Sequence, residues 1–235
     1  MEIHSRATIL NSEYCAPDLY HKLYNCGIAA TWPSGISGFY RCGALACVRC
    51  RRTHRAAFCA DAARLFRARP ASALRTIEVD LPPAPSLVSL RAALLTFKRD
   101  LRNLVGRWRS KHPKACGSRF YGAVDMVPVP FGWRAGARIL CDLAGASEIP
   151  LADLLLRKWP AARICAAGAL ADEIEALWPS LSDCSVEFLN YLHCNRNLQI
   201  LRVHVRPQRT ALRRSAGSPQ AAQSGWSCQP LPITF

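Results

Sequence analysis

The sequence has no uninterrupted apolar run of about 18 residues, so it predicts no membrane-spanning helix. The N-terminal segment MEIHSRATIL carries charges where a secretory signal would have its apolar stretch. We therefore expect a cytoplasmic protein that does not associate with membranes. Half of the 235 residues are hydrophobic, which is enough for a folded core and unlike a disordered chain.

Acidic residues are scarce, with 16 Asp and Glu against 31 Lys and Arg, which gives a net charge of +15. Such an excess favours a polyanionic partner, because each neutralised phosphate releases condensed counterions. Arginine predominates, and its planar guanidinium suits phosphate oxygens better than the point charge of lysine. Nucleic acid is the predicted partner. The alternative is a GC-rich coding bias that enriches Arg and Ala without any ligand.

Cysteine, by contrast, is abundant, with twelve residues. In a cytoplasmic chain this number favours metal binding or free thiols over disulfides. Three cysteines are spaced C-x4-C-x2-C and a fourth lies one predicted hairpin upstream, so that their thiolates can surround one tetrahedral Zn²⁺ ion. The predicted structural zinc ligands are Cys26, Cys42, Cys47 and Cys50. The alternatives are buried thiols packed as small hydrophobes and a disulfide.

A basic helix is predicted directly after the last of these cysteines, with Pro70 at its end. Within it, His54 and Cys59 are alternatives to Cys26 as the fourth zinc ligand. Arginines of the cysteine segment and of this helix would form a positive surface beside the metal. The predicted DNA-binding residues are Arg41, Arg49, Arg51, Arg52 and Arg55.

Beyond the basic helix, hydrophobic periodicity predicts alternating strands and helices. Strands are expected at 74–82, 118–132, 133–145 and 198–205, and helices at 86–111, 147–162 and 185–197. We expect an α+β fold with one antiparallel, ferredoxin-like sheet covered by helices on one face. The predicted regions are a zinc-binding hairpin and basic helix (1–70), an α+β domain (71–206) and a disordered basic tail (207–235).

The order of these elements and the cysteine hairpin YRCGALACVRCRR (40–52) resemble bacterial plasmid rolling-circle replication initiators. These are the Rep proteins of the HUH endonuclease superfamily, whose hairpin has the pattern C-x4-C-P-x-C followed by basic residues. Val48 stands at the proline position of that pattern. The resemblance spans residues 20–200 and implies a HUH-type sheet and DNA as partner, at a plasmid origin and in single- or double-stranded form, together with host replication proteins.

The resemblance also implies a set of catalytic positions. Asp125, in FYGAVDMV, corresponds to the acidic residue that helps to bind a catalytic Mg²⁺ or Mn²⁺ ion. The two histidines of the family's H-x-H strand are replaced by Gly136 and Arg138. Tyr191 stands at the position of the tyrosine that attacks the DNA phosphodiester and becomes 5′-phosphotyrosyl. Asn190 and Cys194 replace the family's lysines.

These replacements divide the functional expectation in two. Glycine has no side chain to bind a metal, and an arginine guanidinium has no lone pair to donate. Arg138 could instead stabilise the phosphate directly while Tyr191 acts as nucleophile. His112, His193 and His204 are alternative metal ligands, and His193 is the nearest of them to Tyr191. We expect an initiator-like DNA-binding protein, either an active one that nicks DNA or a degenerate one that has lost this activity. The alternatives are a non-enzymatic zinc-containing DNA-binding regulator and an RNA-binding zinc protein.

Overall fold

The computed structural model describes residues 17–31, 33–45, 47–179 and 201–207. These residues form five α-helices: α1 (Pro17–Asn25), α2 (Val48–Phe66), α3 (Leu87–Lys111), α4 (Ile149–Lys158) and α5 (Leu170–Ala176). The strands are β1 (Ala29–Thr31), β2 (Ser37–Phe39), β3 (Leu74–Ala84), β4 (Arg119–Val129), β5 (Gly132–Asp142), β6 (Arg163–Ala166) and β7 (Arg202–Val205). None of the described helices is long and apolar enough to cross a membrane.

The described residues form two antiparallel sheets. Strands β1 and β2 form a small hairpin, and the other five strands form one sheet in the order β6-β3-β5-β4-β7. The three long strands β3, β4 and β5 make up the centre, with Ile77 opposite Ile139 and Gly122 opposite Ile139 from the other side. The fold is therefore α+β with an antiparallel sheet and helices, as the sequence predicted.

The main core lies between one face of the sheet and helices α3 and α4. The apolar residues that recur at spacings of three and four along α3 are all buried: Leu87, Leu90, Leu94, Phe97, Leu101, Leu104 and Trp108. Ser86 caps this helix by accepting a hydrogen bond from the backbone N–H of Ser89 at 3.2 Å. Leu151 and Leu155 of α4 complete the layer. The helix predicted at 86–111 is therefore confirmed, and its cap and apolar stripe explain its bounds and its buried face.

The opposite face of the sheet is also covered, over part of its area, by α2 and α5. Phe58 and Phe66 of α2 bury Tyr121 and Leu140 of the central strands, and Ile174 of α5 joins this second cluster. The Tyr121 hydroxyl donates to the carbonyl oxygen of Phe58 at 3.2 Å. The expectation of helices on one face only is therefore wrong. At this end of the sheet, successive strand residues are apolar, so both faces carry apolar side chains that need to be covered.

The sequence prediction also missed β6 and α5, and it placed the start of β7 too early. Strand β6 has only four residues, with the sequence RICA, which is too short for a reliable alternation signal. The predicted helix 185–197 and the predicted tail from 208 onwards lie outside the described residues.

Candidate metal centre and basic surface

The four cysteines of the predicted zinc site meet between α1, the β1–β2 hairpin and the N-terminus of α2. Gly27 N–H donates to the Tyr40 carbonyl oxygen at 2.8 Å, which extends the hairpin and closes the long interval between the first two cysteines. The other two lie at the N-terminus of α2, where one turn of helix brings positions three apart onto one side. We call this group the thiol cluster: Cys26, Cys42, Cys47 and Cys50.

The thiol cluster has the spacing that a metal with four thiolate ligands requires. All four Sγ atoms lie within 4.8 Å of one another, with separations of 3.7 Å for Cys26–Cys50, 3.5 Å for Cys42–Cys50 and 3.5 Å for Cys26–Cys47. A tetrahedral ion with metal–sulfur bonds of about 2.3 Å separates its sulfurs by about 3.8 Å. A disulfide would need about 2.05 Å. The cluster could therefore hold one metal ion.

Within the thiol cluster the pKa of Cys47 is lowered, whereas burial raises the pKa of Cys50. Gly43 adopts a left-handed conformation (φ 68°), and its N–H points to Cys50 Sγ at 3.3 Å. The hydrogen bond from Cys42 lowers the pKa of Cys47 to about 4, although burial opposes this shift. The same hydrogen bond, with burial, raises the pKa of Cys42. The cluster thus stabilises at least one thiolate, the form that binds metals.

The two other candidate ligands lie outside the cluster. The Nε2–H of His54 donates to the Gly43 carbonyl oxygen at 2.8 Å, so this side chain holds the loop between the second and third ligands. Such an outer hydrogen bond typically orients a ligand and tunes its affinity. Cys59 lies farther along α2 and packs against the second core cluster. The structure therefore groups Cys26, rather than His54 or Cys59, with the other three thiols.

A concave surface of about 370 Å³ lies beside the thiol cluster, and we call it the hairpin groove. Its lining residues are Gly27, Phe39, Arg41, Arg49, Arg52 and Thr53. Phe39 at the end of β2 is 61% exposed, so its ring presents an aromatic face beside the arginines of the groove. Gly27 (φ 92°) has no Cβ, and the Arg49 guanidinium occupies the space where one would lie. The Arg49 side chain therefore packs directly against the backbone at Gly27, next to the start of β1.

The five predicted DNA-binding arginines divide between the hairpin groove and other positions. Arg41, Arg49 and Arg52 line the groove. Arg55 forms an ion pair with Glu175 of α5 and so ties α2 to that helix. Arg51 is half-buried and does not line the groove. Sequence reasoning missed Phe39, although an aromatic residue between turn residues and arginines was the signal that could have identified it.

The catalytic positions implied by the initiator resemblance lie on the face of the sheet that α2 and α5 partly cover. Arg138 pairs with Ala123 of β4, and Gly136 pairs with Asp125. The Arg138 guanidinium binds two carboxylates, Glu78 at 3.3 Å and Glu173 at 3.1 Å. Its charge is therefore neutralised within the protein, which argues against a role as a phosphate clamp.

Asp125 is half-buried, and its Oδ1 accepts a hydrogen bond from the Met126 N–H at 3.0 Å. Within the described ranges, the thiol cluster is the only group of three or more potential ligands that lie close enough to share a metal. No second metal site forms around Asp125 among those residues. The predicted nucleophile Tyr191 lies outside the described residues, as do Asn190, His193 and Cys194.

The chain was compared with family models, with curated proteins and with solved structures, and none of the three comparisons found a match.

Proposed function

We propose that the protein binds single-stranded DNA in the hairpin groove, and that a structural zinc ion in the thiol cluster fixes the shape of this groove. The scaffold is an initiator-like α+β domain, and the protein binds DNA without cutting it. The observation that carries the proposal is the hairpin groove itself, where arginines and an exposed aromatic ring lie directly beside the thiol cluster.

Zinc is the metal that this donor set suits best. Four thiolates without an open position are typical of structural zinc sites, and zinc imposes no geometry other than the tetrahedron that the sulfur separations fit. The ion would join α1, the hairpin and α2. This link is needed because β1 and β2 have only three residues each and leave their outer positions exposed.

The chemistry of the hairpin groove favours a single strand. Arg41 and Arg52 are exposed and form no ion pair within the described part of the chain, so their charges are available to phosphates. The Phe39 ring offers a flat face on which an unpaired base can stack, worth about 1–3 kcal/mol per base. A duplex would present its phosphates to the arginines but would leave the ring without a base.

The element order supports a ferredoxin-like scaffold of the initiator type. The segment β3-α3-β4-β5-α4-β6 has the pattern β-α-β-β-α-β, and both of its helices pack on the same face. Numbered from β3, its strands stand in the order 4-1-3-2, with β7 added beside β4. The resemblance in element order and cysteine spacing makes plasmid origin DNA the proposed target.

Binding without cleavage is proposed because the catalytic positions lack what the reaction needs. Gly136 offers no ligand to the divalent ion that would polarise the scissile phosphate. Arg138 is already neutralised by Glu78 and Glu173. A regulator or origin-occupying protein fits this arrangement better than a nuclease.

Fluorescence anisotropy with a labelled 12-nucleotide single strand tests the proposed surface. The variant Arg41→Gln/Arg52→Gln should reduce the salt dependence, d log K/d log [salt], by about 1.4, because each phosphate contact on a single strand contributes about 0.7. Phe39→Ala should weaken binding about 5- to 150-fold, with the salt dependence almost unchanged. The matched control is Arg91→Gln, which removes an exposed arginine from α3.

If Arg41→Gln/Arg52→Gln binds as the wild type does, or no more weakly than Arg91→Gln, the hairpin groove is not the DNA-binding surface. Nicking is tested separately with supercoiled and single-stranded DNA, with and without Mn²⁺, beside Tyr191→Phe. We expect no covalent adduct. An adduct that disappears in Tyr191→Phe would make the protein a nicking initiator that works without the usual histidines.

A further inference from the structure

A second concave surface lies beside β7, which is the edge strand of the described sheet and is hydrogen-bonded to β4. We call it the edge groove, and it encloses about 590 Å³. Its charged and titratable lining residues are Asp61, Arg64, Lys98, Arg102, Arg202, His204 and Arg206. They come from α2, α3 and β7, three elements that are far apart in the sequence.

The charge of the edge groove is strongly one-sided. Among its described lining residues, five are Lys or Arg, and Asp61 is the only carboxylate. Asp61 accepts from Arg64 at 2.7 Å and from Arg202 at 2.8 Å, which orients these two guanidiniums without neutralising the groove. The Arg202 guanidinium is also held over the Tyr121 ring, 4.8 Å from its centroid.

Holding these charges together costs free energy in the absence of an anion. Burial, and then repulsion from Arg102, lowers the pKa of Lys98 to about 8. Burial, and then the charges of Arg202 and Arg206, lower the pKa of His204. Burial is the larger cause of both shifts, and the smaller part is repulsion between like charges that a bound anion would relieve. An ordinary solvated basic helix face would not converge with a strand edge in this way.

We propose that the edge groove is a second binding site for the phosphodiester backbone of a nucleic acid single strand. Arg202 and His204 alternate along β7 and Arg206 directly follows it, so that three side chains with hydrogen-bond donors recur about 6.6 Å apart along the chain. This is a periodic row suited to the repeating charges of an extended backbone. On α3, Lys98 and Arg102 are one helical turn apart and face the same groove.

The inference rests on the proposed function in one respect, since both sites take a nucleic acid strand. It adds a contact surface that the hairpin groove does not include, on different elements and with no shared residue. A protein with both sites would hold a longer strand than either site alone, and its affinity would rise with the length of the oligonucleotide.

The test uses the full chain with oligothymidylates of 6, 12 and 24 nucleotides. The variant Arg102→Gln/Arg206→Gln removes two exposed charges while leaving Asp61 paired with its two arginines. It is compared with Arg41→Gln/Arg52→Gln and with the control Arg91→Gln, after each variant has shown a cooperative thermal transition. Hydrogen exchange with and without the 12-mer shows which backbone segments are protected.

We expect the edge-groove variant to reduce the salt dependence by about 1.4 and to remove the affinity gained with length. The wild type should gain protection at residues 98–102 and 202–206. If this variant behaves like Arg91→Gln while the hairpin variant loses binding, the inference is overturned and the proposed function stands. If the edge-groove variant alone loses binding, the inference stands and the hairpin groove is not the DNA site. If an acidic peptide, and not the 12-mer, protects residues 98–102 and 202–206 from hydrogen exchange, the inference is also overturned.

Discussion

Replacing one ligand of the thiol cluster should release the metal and unfold the hairpin while the sheet persists. The variant is Cys47→Ser, which removes a buried thiol at the N-terminus of α2. Loss of a hydrogen bond to a metal ligand weakens metal affinity about 10- to 100-fold. Loss of a direct ligand should therefore cost at least about 100-fold, or about 2.7 kcal/mol.

The structural consequence should be confined to one region. Strands β1 and β2 have three residues each and little buried surface, so we expect the hairpin to depend on a metal bound in the thiol cluster for its stability. The main core between the sheet and α3 contains none of the metal ligands. Hydrogen exchange in Cys47→Ser, or in chelated wild type, should accelerate at residues 26–47 and stay slow in β3, β4 and β5.

The assay is the zinc-to-protein ratio by elemental analysis, followed by competition with a chromophoric chelator. The control is Cys165→Ser, which removes an exposed thiol on β6 outside the cluster. We expect a ratio near one for the wild type and the control, and near zero for Cys47→Ser. A wild type without stoichiometric metal after purification with zinc, or an unchanged affinity in Cys47→Ser, would refute the assignment.

Three further predictions concern the folded scaffold, each measured by chemical denaturation. Burial raises the pKa of Tyr121 to about 12, so the native state holds the phenolic proton more tightly than the unfolded state does. This contribution to the free energy of unfolding is complete below pH 10 and is lost as the pH rises through 12. The difference in the free energy of unfolding between the wild type and Tyr121→Phe should therefore shrink by about 2 kcal/mol between pH 10 and pH 12. Phe58→Ala should destabilise the protein by about 3–5 kcal/mol, because the ring is 2% exposed in the second core cluster. Gly122→Ala should lower the free energy of unfolding by at least about 2 kcal/mol, because its Cβ would lie 2.7 Å from Ile139 Cα and overlap the neighbouring carbonyl. Gly106→Ala in α3 is the contrast: its Cβ would meet no atom within 4 Å, and the substitution should raise the free energy of unfolding by up to about 1 kcal/mol. Equal effects of these two glycine substitutions would contradict the packing described for β4.

The elements with strong periodicity were predictable. Helix α3 has apolar residues at spacings of three and four over its whole length, and both its capping residue Ser86 and its buried face follow from that pattern. Strands β4 and β5 are long and joined by the turn around Gly132, so their pairing was also predictable. The short β6 and α5 were not, because four to seven residues carry too little pattern to separate a strand or helix from a loop.

The sequence by itself determined the thiol cluster, because the spacing of Cys42, Cys47 and Cys50 lets one turn and one helix start offer three thiols to a single ion. It also determined the excess of positive charge. Only the tertiary structure decided where that charge acts. Carboxylates neutralise Arg55 and Arg138 in ion pairs, while the packing of α2, α3 and β7 brings arginines from distant positions into one groove. The physical reason is that ligand spacing is a local property of the chain, whereas the neutralisation or convergence of charges depends on which elements pack together.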